Sequence, residues 1–117
     1  MSTLPYPLWS SPPGPTLLAS RDVETDERVF PAVPADSPIA ARHVVAPIEG
    51  AGVVYSYTVI HPGARSGLEP YALGYVDFPG PVRIFGRLHG AARPAIGQRF
   101  RPEPDDAFGY VFAALDA

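Results

Sequence analysis

Four residues in the last third of the chain have the types and the spacing that could bind a charged ligand. Arg83, Phe85, Arg87 and His89 alternate with apolar or small residues, so they share one face if this stretch is a β-strand. Cations interleaved with an aromatic ring suit phosphates and a stacked base, as in a nucleotide or coenzyme A. A solvated outer strand face shows the same alternation without any ligand. The row therefore supports two interpretations, a ligand-facing row and an ordinary polar face.

Two further residues could extend the ligand-facing set. Tyr57 shares one side of its predicted strand with Tyr55, and His61 follows the end of that strand. Exposed tyrosines can stack on a ligand, whereas buried tyrosines with a hydrogen-bonded hydroxyl belong to a core. The candidates that face a ligand or a partner are therefore Tyr57, His61, Arg83, Phe85, Arg87 and His89.

The sequence lacks the motifs of known catalytic and metal sites. It has no Cys and no Gly-x-Ser-x-Gly motif, so an activated nucleophile gains no support. His43, His61 and His89 are widely spaced and do not form a metal-binding helix motif. Asp105 and Asp106 lie beside prolines, a composition typical of a solvated turn rather than of paired catalytic acids. We therefore predict no catalytic and no metal-ligating residue.

The composition indicates one small β-rich domain. A chain of 117 residues has room for one core, and 16 Pro with 11 Gly disfavour long helices. The hydrophobic content of 46%, with six Tyr and six Phe, is enough to bury that core.

The charge and the cysteine content limit the cellular locations and the partners that we expect for this protein. The net charge of -3 opposes a general electrostatic grip on nucleic acid. The absence of Cys removes a disulfide framework, and neither a signal peptide nor an apolar run of about 20 residues is visible. We therefore expect a cytoplasmic protein that binds neither nucleic acid nor membrane.

The second half of the chain carries the pattern of a small β-barrel. Runs of β-branched and aromatic residues alternate with turn residues, and five short strands close into a barrel more readily than they form an open sheet. The segment 102–106, rich in Pro and Asp, is predicted to be a turn. The predicted strands are Val53–Ile60, Tyr71–Phe78, Val82–His89, Gly97–Arg101 and Phe108–Leu115.

The first half of the chain is less regular. Residues 1–20 contain five prolines and are predicted to form an extended arm. Tyr6, Leu8 and Trp9 are apolar anchors in this arm, which could pack on this domain or dock on a partner. Residues 21–49 are predicted to form short strands and turns interrupted by Pro.

The order of these segments resembles the zinc-ribbon and OB-fold proteins that accompany acyl-CoA enzymes. In the barrel the resemblance lies in a glycine-flanked strand, a hairpin, an Ile-Gly turn and a last strand. In the first half, Leu8-Trp9 is similar to the aromatic-containing N-terminal helix of the family, and Phe30-Pro31 to a ribbon dipeptide. The matching barrel segments are Gly50–His61, Pro70–Phe78, Val82–Leu88, Ile96–Phe100 and Tyr110–Phe112.

The resemblance fails at the zinc ligands. Family members have a pair of cysteines on each side of the Phe-Pro dipeptide, and these positions fall here on Asp22, Thr25, Asp36 and Ile39. Such a set cannot form a tetrahedral zinc site, so a metal-free, degenerate ribbon is expected. The expected organisation is an all-β chain: a Pro-rich arm (1–20), a degenerate ribbon-like segment (21–49) and a five-stranded OB-fold barrel (50–117).

The function that the resemblance implies is that of an accessory subunit. It implies a non-catalytic partner of a thiolase-like acyl-CoA enzyme, meaning a thiolase, ketosynthase or aldolase, within a hetero-oligomer. The coenzyme A thioester would belong to the complex, and this chain would bind no cofactor of its own. Three alternatives stay open: a partner of an acyl-CoA hydratase, a nucleic-acid-binding OB domain suggested by the Arg83 row, and a small β-barrel enzyme.

Overall fold

The computed structural model describes residues 8–10, 16–90 and 93–115, and these residues form strands, turns and two short 3₁₀ turns. The expectation of an all-β fold is confirmed. No helix in the described part of the chain is long and apolar enough to cross a bilayer. The strands are β1 Leu17–Asp22, β2 Arg28–Val29, β3 His43–Ile48, β4 Gly52–Ile60, β5 Tyr71–Phe78, β6 Val82–His89, β7 Arg99–Asp105 and β8 Gly109–Ala114.

Strands β4 to β8 form the predicted five-stranded closed barrel. Their order around the barrel is β4-β5-β6-β8-β7. Strand β4 pairs antiparallel with β5 along most of its length and with β7 at Gly52 and Val53. Strand β8 pairs antiparallel with β7 and parallel with β6, and the parallel pairing closes the barrel. Each strand of the ring therefore has a neighbour on both sides.

Alternation along these strands fills the barrel with apolar side chains. Val76, Phe100 and Phe112 are completely buried, as expected for inward residues at a period of two. The rings of Phe78 and Phe112 pack with centroids 5.7 Å apart. Burial of each such side chain stabilises the fold by about 1.5–3 kcal/mol.

Strand β7 continues through Pro102 and Pro104, so the prediction of a turn over residues 102–106 is wrong. The amide of Leu115 donates to the carbonyl of Arg99 at 3.1 Å. Hydrogen-bonded pairs alternate along an antiparallel ladder, so odd-numbered β7 residues exchange bonds with β8. Both prolines occupy even positions, where an amide would point away from β8, and their missing donors are therefore not needed.

The turn between β7 and β8 lies over residues 106–108 instead. The Asp105 carboxylate accepts hydrogen bonds from the amides of Ala107, at 3.0 Å, and Phe108, at 2.8 Å. This is the local side-chain-to-backbone bonding for which Asp is favoured in turns. Asp105 is thus committed to turn structure.

The residues before the barrel form a three-stranded sheet with β1 in the centre. Strand β1 pairs with β2 at Ser20 and Arg21 and with β3 from Leu17 to Asp22. This sheet belongs to a compact unit made of the described residues up to Glu49 together with Pro79–Val82, and the rest of the chain forms a second unit. The predicted domain limits of 1–20, 21–49 and 50–117 stay predictions.

The structure corrects two expectations for the N-terminal arm. Leu17, Leu18 and Ala19 are buried in β1 rather than extended in an arm, because no proline follows Pro15 until residue 31 and every amide can pair. Trp9 forms an isolated β-bridge with Leu17, so the helix implied by the resemblance is absent from residues 8–10.

Leu8 and Trp9 pack within the unit to which they belong. The Leu18 amide donates to the Leu8 carbonyl at 2.7 Å, and both Leu8 and Trp9 are half-buried. Backbone pairing with β1 therefore holds this piece of the arm against the sheet of its own unit. Tyr6, the third predicted anchor, lies outside the described residues.

The first expected zinc position has a structural role of its own. One carboxylate oxygen of Asp22 accepts from the amides of Glu24, at 2.8 Å, and Thr25, at 3.3 Å. The other accepts from Arg42 Nη2 at 2.8 Å. The Glu24 amide contributes most to lowering the pKa of Asp22, with help from Thr25 and Arg42, while burial opposes it. Asp22 thus links the start of the β1–β2 turn to Arg42, the residue before β3.

Candidate functional site on the outer barrel face

The candidate row Arg83, Phe85, Arg87 and His89 lies on the outer side of β6. Residues 82, 84, 86 and 88 of this strand are buried, while the row residues are exposed or half-buried. The alternation that suggested the row is therefore present. The environments of its members nevertheless differ from one another.

The guanidinium of Arg83 binds to other side chains of the barrel. Its Nε donates to Asp77 Oδ1 at 2.6 Å and its Nη2 to Asp77 Oδ2 at 3.0 Å. Its guanidinium carbon lies 3.5 Å from the centroid of the Tyr55 ring. The hydrogen bonds to Asp77 are the main reason that the pKa of Arg83 is raised. Arg83 has its counter-ion on the neighbouring strand and is poorly placed to serve a ligand.

Phe85 and Arg87 line a cavity of about 500 Å³ on the outer face. Its walls come from β5, β6 and β8, from the segment between β4 and β5, and from the turn between β7 and β8. Ligands of OB-folds bind on the second and third barrel strands and the adjoining loops, and these are here β5, β6 and the same two connections. The lining residues are Leu68, Tyr71, Leu73, Phe85, Gly86, Arg87, Phe108 and Tyr110.

The cavity lies where two strands diverge. Strands β6 and β8 pair only at Leu88 with Phe112 and at His89 with Ala113. Before these pairs the strands separate, and a Cβ atom on Gly86 would lie 2.9 Å from Cε2 of Tyr110 and 2.7 Å from Cε2 of Phe112. The absence of a side chain at Gly86 therefore admits the Tyr110 ring into the gap.

Tyr110 bridges that gap. Its hydroxyl donates a hydrogen bond of 2.5 Å to the carbonyl of Phe85. Its ring also packs on Phe112, with centroids 5.6 Å apart. One side chain thus supplies a link between β6 and β8 where no backbone pairing exists.

Arg87 is the charged residue of the cavity. Its guanidinium carbon lies 4.5 Å from the Tyr71 ring centroid and 5.6 Å from that of Phe108. Within the described part of the chain it has no carboxylate partner, and its buried Nε has no hydrogen-bond acceptor. Arg87 is therefore held by aromatic rings rather than by a counter-ion.

A second, more polar cavity of about 340 Å³ adjoins the first. Tyr71 and Arg87 line both cavities, and His89 lines the second one. Arg87 is consequently shared by a largely apolar cavity and a more polar one. Such an arrangement suits a ligand with an apolar body and a charged end.

Tyr57 and His61 lie apart from these cavities. The β4–β5 register shifts between Val54 and Ser56, so Tyr55 is an extra residue and the faces exchange. Tyr55 is 53% exposed, whereas Tyr57 pairs with the buried Gly74. The prediction that the two tyrosines share a side is therefore wrong. His61 is exposed after β4 and lines neither cavity.

The structure adds residues that the sequence reasoning missed. Leu68 and Phe108 come from connections, and Tyr110 comes from the last strand. Alternation along the second barrel strand places Tyr71 and Leu73 at outward, odd-numbered positions, so the sequence alone could have identified these two residues. For the other three, no local pattern in the sequence gives their position.

Comparison with known proteins agrees with the barrel. A chain described as "Ltp2-ChsH2(DUF35) aldolase" has the same fold, with a TM-score of 0.64, 23% identity, and coverage of 85% of this chain and 84% of that one. No curated protein matches significantly. The family model for the ChsH2 C-terminal OB-fold domain matches residues 45–103, which is half of the chain. The chain therefore belongs to the family of ChsH2 C-terminal OB-fold domains.

Proposed function

We propose that this protein is a non-catalytic accessory subunit of a thiolase-like acyl-CoA enzyme. The observation that carries the proposal is the likeness, over 85% of the chain, to a chain of a structure in which ChsH2 is named together with the aldolase Ltp2. In the complex, the partner supplies the reacting groups and this chain supports the assembly and the acyl-CoA pocket. The complex is a cytoplasmic hetero-oligomer.

The first unit offers a surface that suits such a partner. Strand β3 pairs with β1 on one side and is an edge strand of the three-stranded sheet. Its residues Val44 and Val45 are exposed, Val45 by 59%. Edge strands with exposed apolar residues readily pair with another chain, and proteins seldom leave such edges uncovered.

Three further apolar residues of the same unit are exposed, namely Val23, Val29 and Ile39. Their side chains are β-branched and stiff, so covering them costs little conformational entropy. Val29 and Val45 both pair with Ser20, so their side chains lie on one face of the sheet, whereas Val44 lies on the other. We define the docking surface as Val29 and Val45. A partner that covers it would supply the stabilisation that zinc gives to other ribbons.

Three carboxylates of the chain have structural partners. Asp22 holds Arg42 and two amides, Asp77 holds Arg83, and Asp105 holds its turn. Within the described residues, no group of three His, Cys, Asp or Glu side chains could hold a metal ion. These commitments support a subunit without its own catalytic centre.

Affinity purification from the native host tests the proposal. We expect the tagged chain to recover a thiolase-fold enzyme in a fixed ratio. Val45→Glu should reduce that recovery at least tenfold, because it places a charge on the docking surface. Ile96→Glu is the matched control, since Ile96 is 64% exposed in a loop of the other unit.

One result contradicts the proposal, and a second contradicts the docking surface alone. Recovery of the chain alone from its host would show that it has no stable partner. Recovery of a thiolase-fold enzyme to the same extent by wild type and Val45→Glu would remove the docking surface, although the subunit role would stand.

A further inference from the structure

We propose that the outer-face cavity around Arg87 is a binding site for a small monocarboxylate with an apolar body. Nothing about the accessory role requires this site, so the inference goes beyond that role. It stands on three observations: the volume of the cavity, the apolar walls and the unpaired charge of Arg87.

The cavity has the size and the walls of a small-molecule site. A volume of about 500 Å³ is within the usual range for ligand pockets, about 300–1,000 Å³. Its walls carry four aromatic rings and two leucines, which favour an aliphatic or aromatic body over water. These walls are Leu68, Tyr71, Leu73, Phe85, Phe108 and Tyr110.

Charge selects the other end of the ligand. A half-buried guanidinium without a carboxylate partner is an incomplete arrangement, because Arg side chains in protected sites are normally paired. Tyr71 and Phe108 offer their rings to Arg87, and these ring contacts leave its buried Nε without a hydrogen-bond acceptor. A carboxylate matches the planar donors of a guanidinium.

The second cavity gives that carboxylate its place. It shares Tyr71 and Arg87 with the larger cavity and is lined also by His89 and Gly90. A ligand can therefore keep its apolar body in the larger cavity and direct its charged end toward Arg87 and His89.

One charge fits better than several. Arg83 is paired with Asp77, so Arg87 is the row's one cation without a carboxylate partner among the described residues. A diphosphate would bring more negative charge than this site offsets, and the net charge of the chain is already -3. The site therefore favours a monocarboxylate over a nucleotide.

Fluorescent probes test the site on the full chain. 8-Anilinonaphthalene-1-sulfonate has an aromatic body with one anionic group, and N-phenyl-1-naphthylamine has nearly the same body without it. We expect Arg87→Met to weaken the sulfonate at least tenfold and to change the affinity of the neutral probe less than twofold. Arg87→Lys should retain part of the sulfonate affinity, and Arg101→Met, an exposed arginine outside the cavity, should leave it unchanged.

Competition identifies the ligand class. Octanoate should displace the sulfonate probe, while octanol and adenosine 3′,5′-bisphosphate should displace it at least tenfold less well. Octanoate should also raise the Tm progressively as its concentration increases, because it binds the folded chain. Better displacement by the bisphosphate would overturn the monocarboxylate assignment in favour of a phosphate ligand.

Two results overturn the site itself. One is equal loss of both probes in Arg87→Met, which would make the cavity a non-specific apolar patch. The other is failure of wild type to bind the sulfonate probe. If Arg87→Met does not fold, the comparison of the charged and neutral probes on wild type decides: equal affinity overturns the proposal, and tighter sulfonate binding that salt weakens supports it.

Discussion

Asp77 accepts two hydrogen bonds from Arg83 across the β5–β6 hairpin, Nε to Oδ1 at 2.6 Å and Nη2 to Oδ2 at 3.0 Å. This pair divides the outward row of β6 into two parts. Arg83 serves the hairpin, and Arg87 lines the cavity at the other end of the strand. The two arginines lie four residues apart on the same outward face of β6, yet they have different roles.

The Arg83–Asp77 pair should be sensitive to salt. In a double-mutant cycle of Arg83→Met and Asp77→Asn, the coupling in the free energy of unfolding should be favourable at 0.1 M salt. It should shrink at 1 M, because the screening length falls from about 10 Å to about 3 Å. Urea unfolding of the four proteins measures it. A coupling that is zero at low salt would show that the pair contributes nothing.

Gly74 should tolerate no side chain. A Cβ there would lie 2.5 Å from the Ser56 carbonyl oxygen and 3.0 Å from atoms of Leu88 and Tyr57. Because the nearest atom is backbone, Gly74→Ala should lower the free energy of unfolding by about 1–3 kcal/mol. Gly63→Ala is the control, since nothing lies within 4 Å of its Cβ position. Equal stability of the two variants in urea would contradict the β4–β5 register.

The Tyr110 hydroxyl should stabilise the barrel closure. Tyr110→Phe removes its hydrogen bond to the Phe85 carbonyl and should cost about 1 kcal/mol of unfolding free energy. Tyr75→Phe provides the comparison, because Tyr75 packs on Phe85 by its ring and is 43% exposed. In thermal unfolding, Tyr110→Phe should have a lower Tm than Tyr75→Phe. The opposite order would refute the bridging role.

Asp22 should make stability depend on acid pH. Its folded pKa is lowered from an ordinary value of 3.8, chiefly by the Glu24 amide. The stabilisation from its charged form is therefore present above pH 3.8 and is lost as the pH falls through the lower, folded value. Asp22→Asn should be less stable than wild type at pH 7, and the difference should narrow toward pH 2. Chemical unfolding at each pH measures this, and a constant difference would contradict it.

The barrel could be predicted from the sequence because its strands follow local rules. The structure gives Tyr71–Phe78 and Val82–His89 the bounds that alternation and the flanking Pro and Gly predict. The second half of strand β7 was not predicted, because Pro102 and Pro104 indicate the end of a strand when the partner strand is unknown. Their tolerance depends on which amides face β8, a property of the ladder rather than of the local sequence.

Only some of the residues that line the cavity could be predicted from the sequence. Phe85 and Arg87 belong to one visible alternation, but Leu68 joins them from the β4–β5 connection, and Phe108 and Tyr110 join them from around the start of the last strand. No local period connects such residues. The bulge at Tyr55 shows the same limit, since one extra residue reverses the faces of the following strand and depends on pairing with β5.

The most direct test of the accessory role is acyl-CoA turnover measured for this chain, for the thiolase-fold partner, and for the two together. We predict no turnover by this chain alone and at least a tenfold gain in activity or soluble yield of the partner when both are present. Robust turnover by the isolated chain would contradict the account.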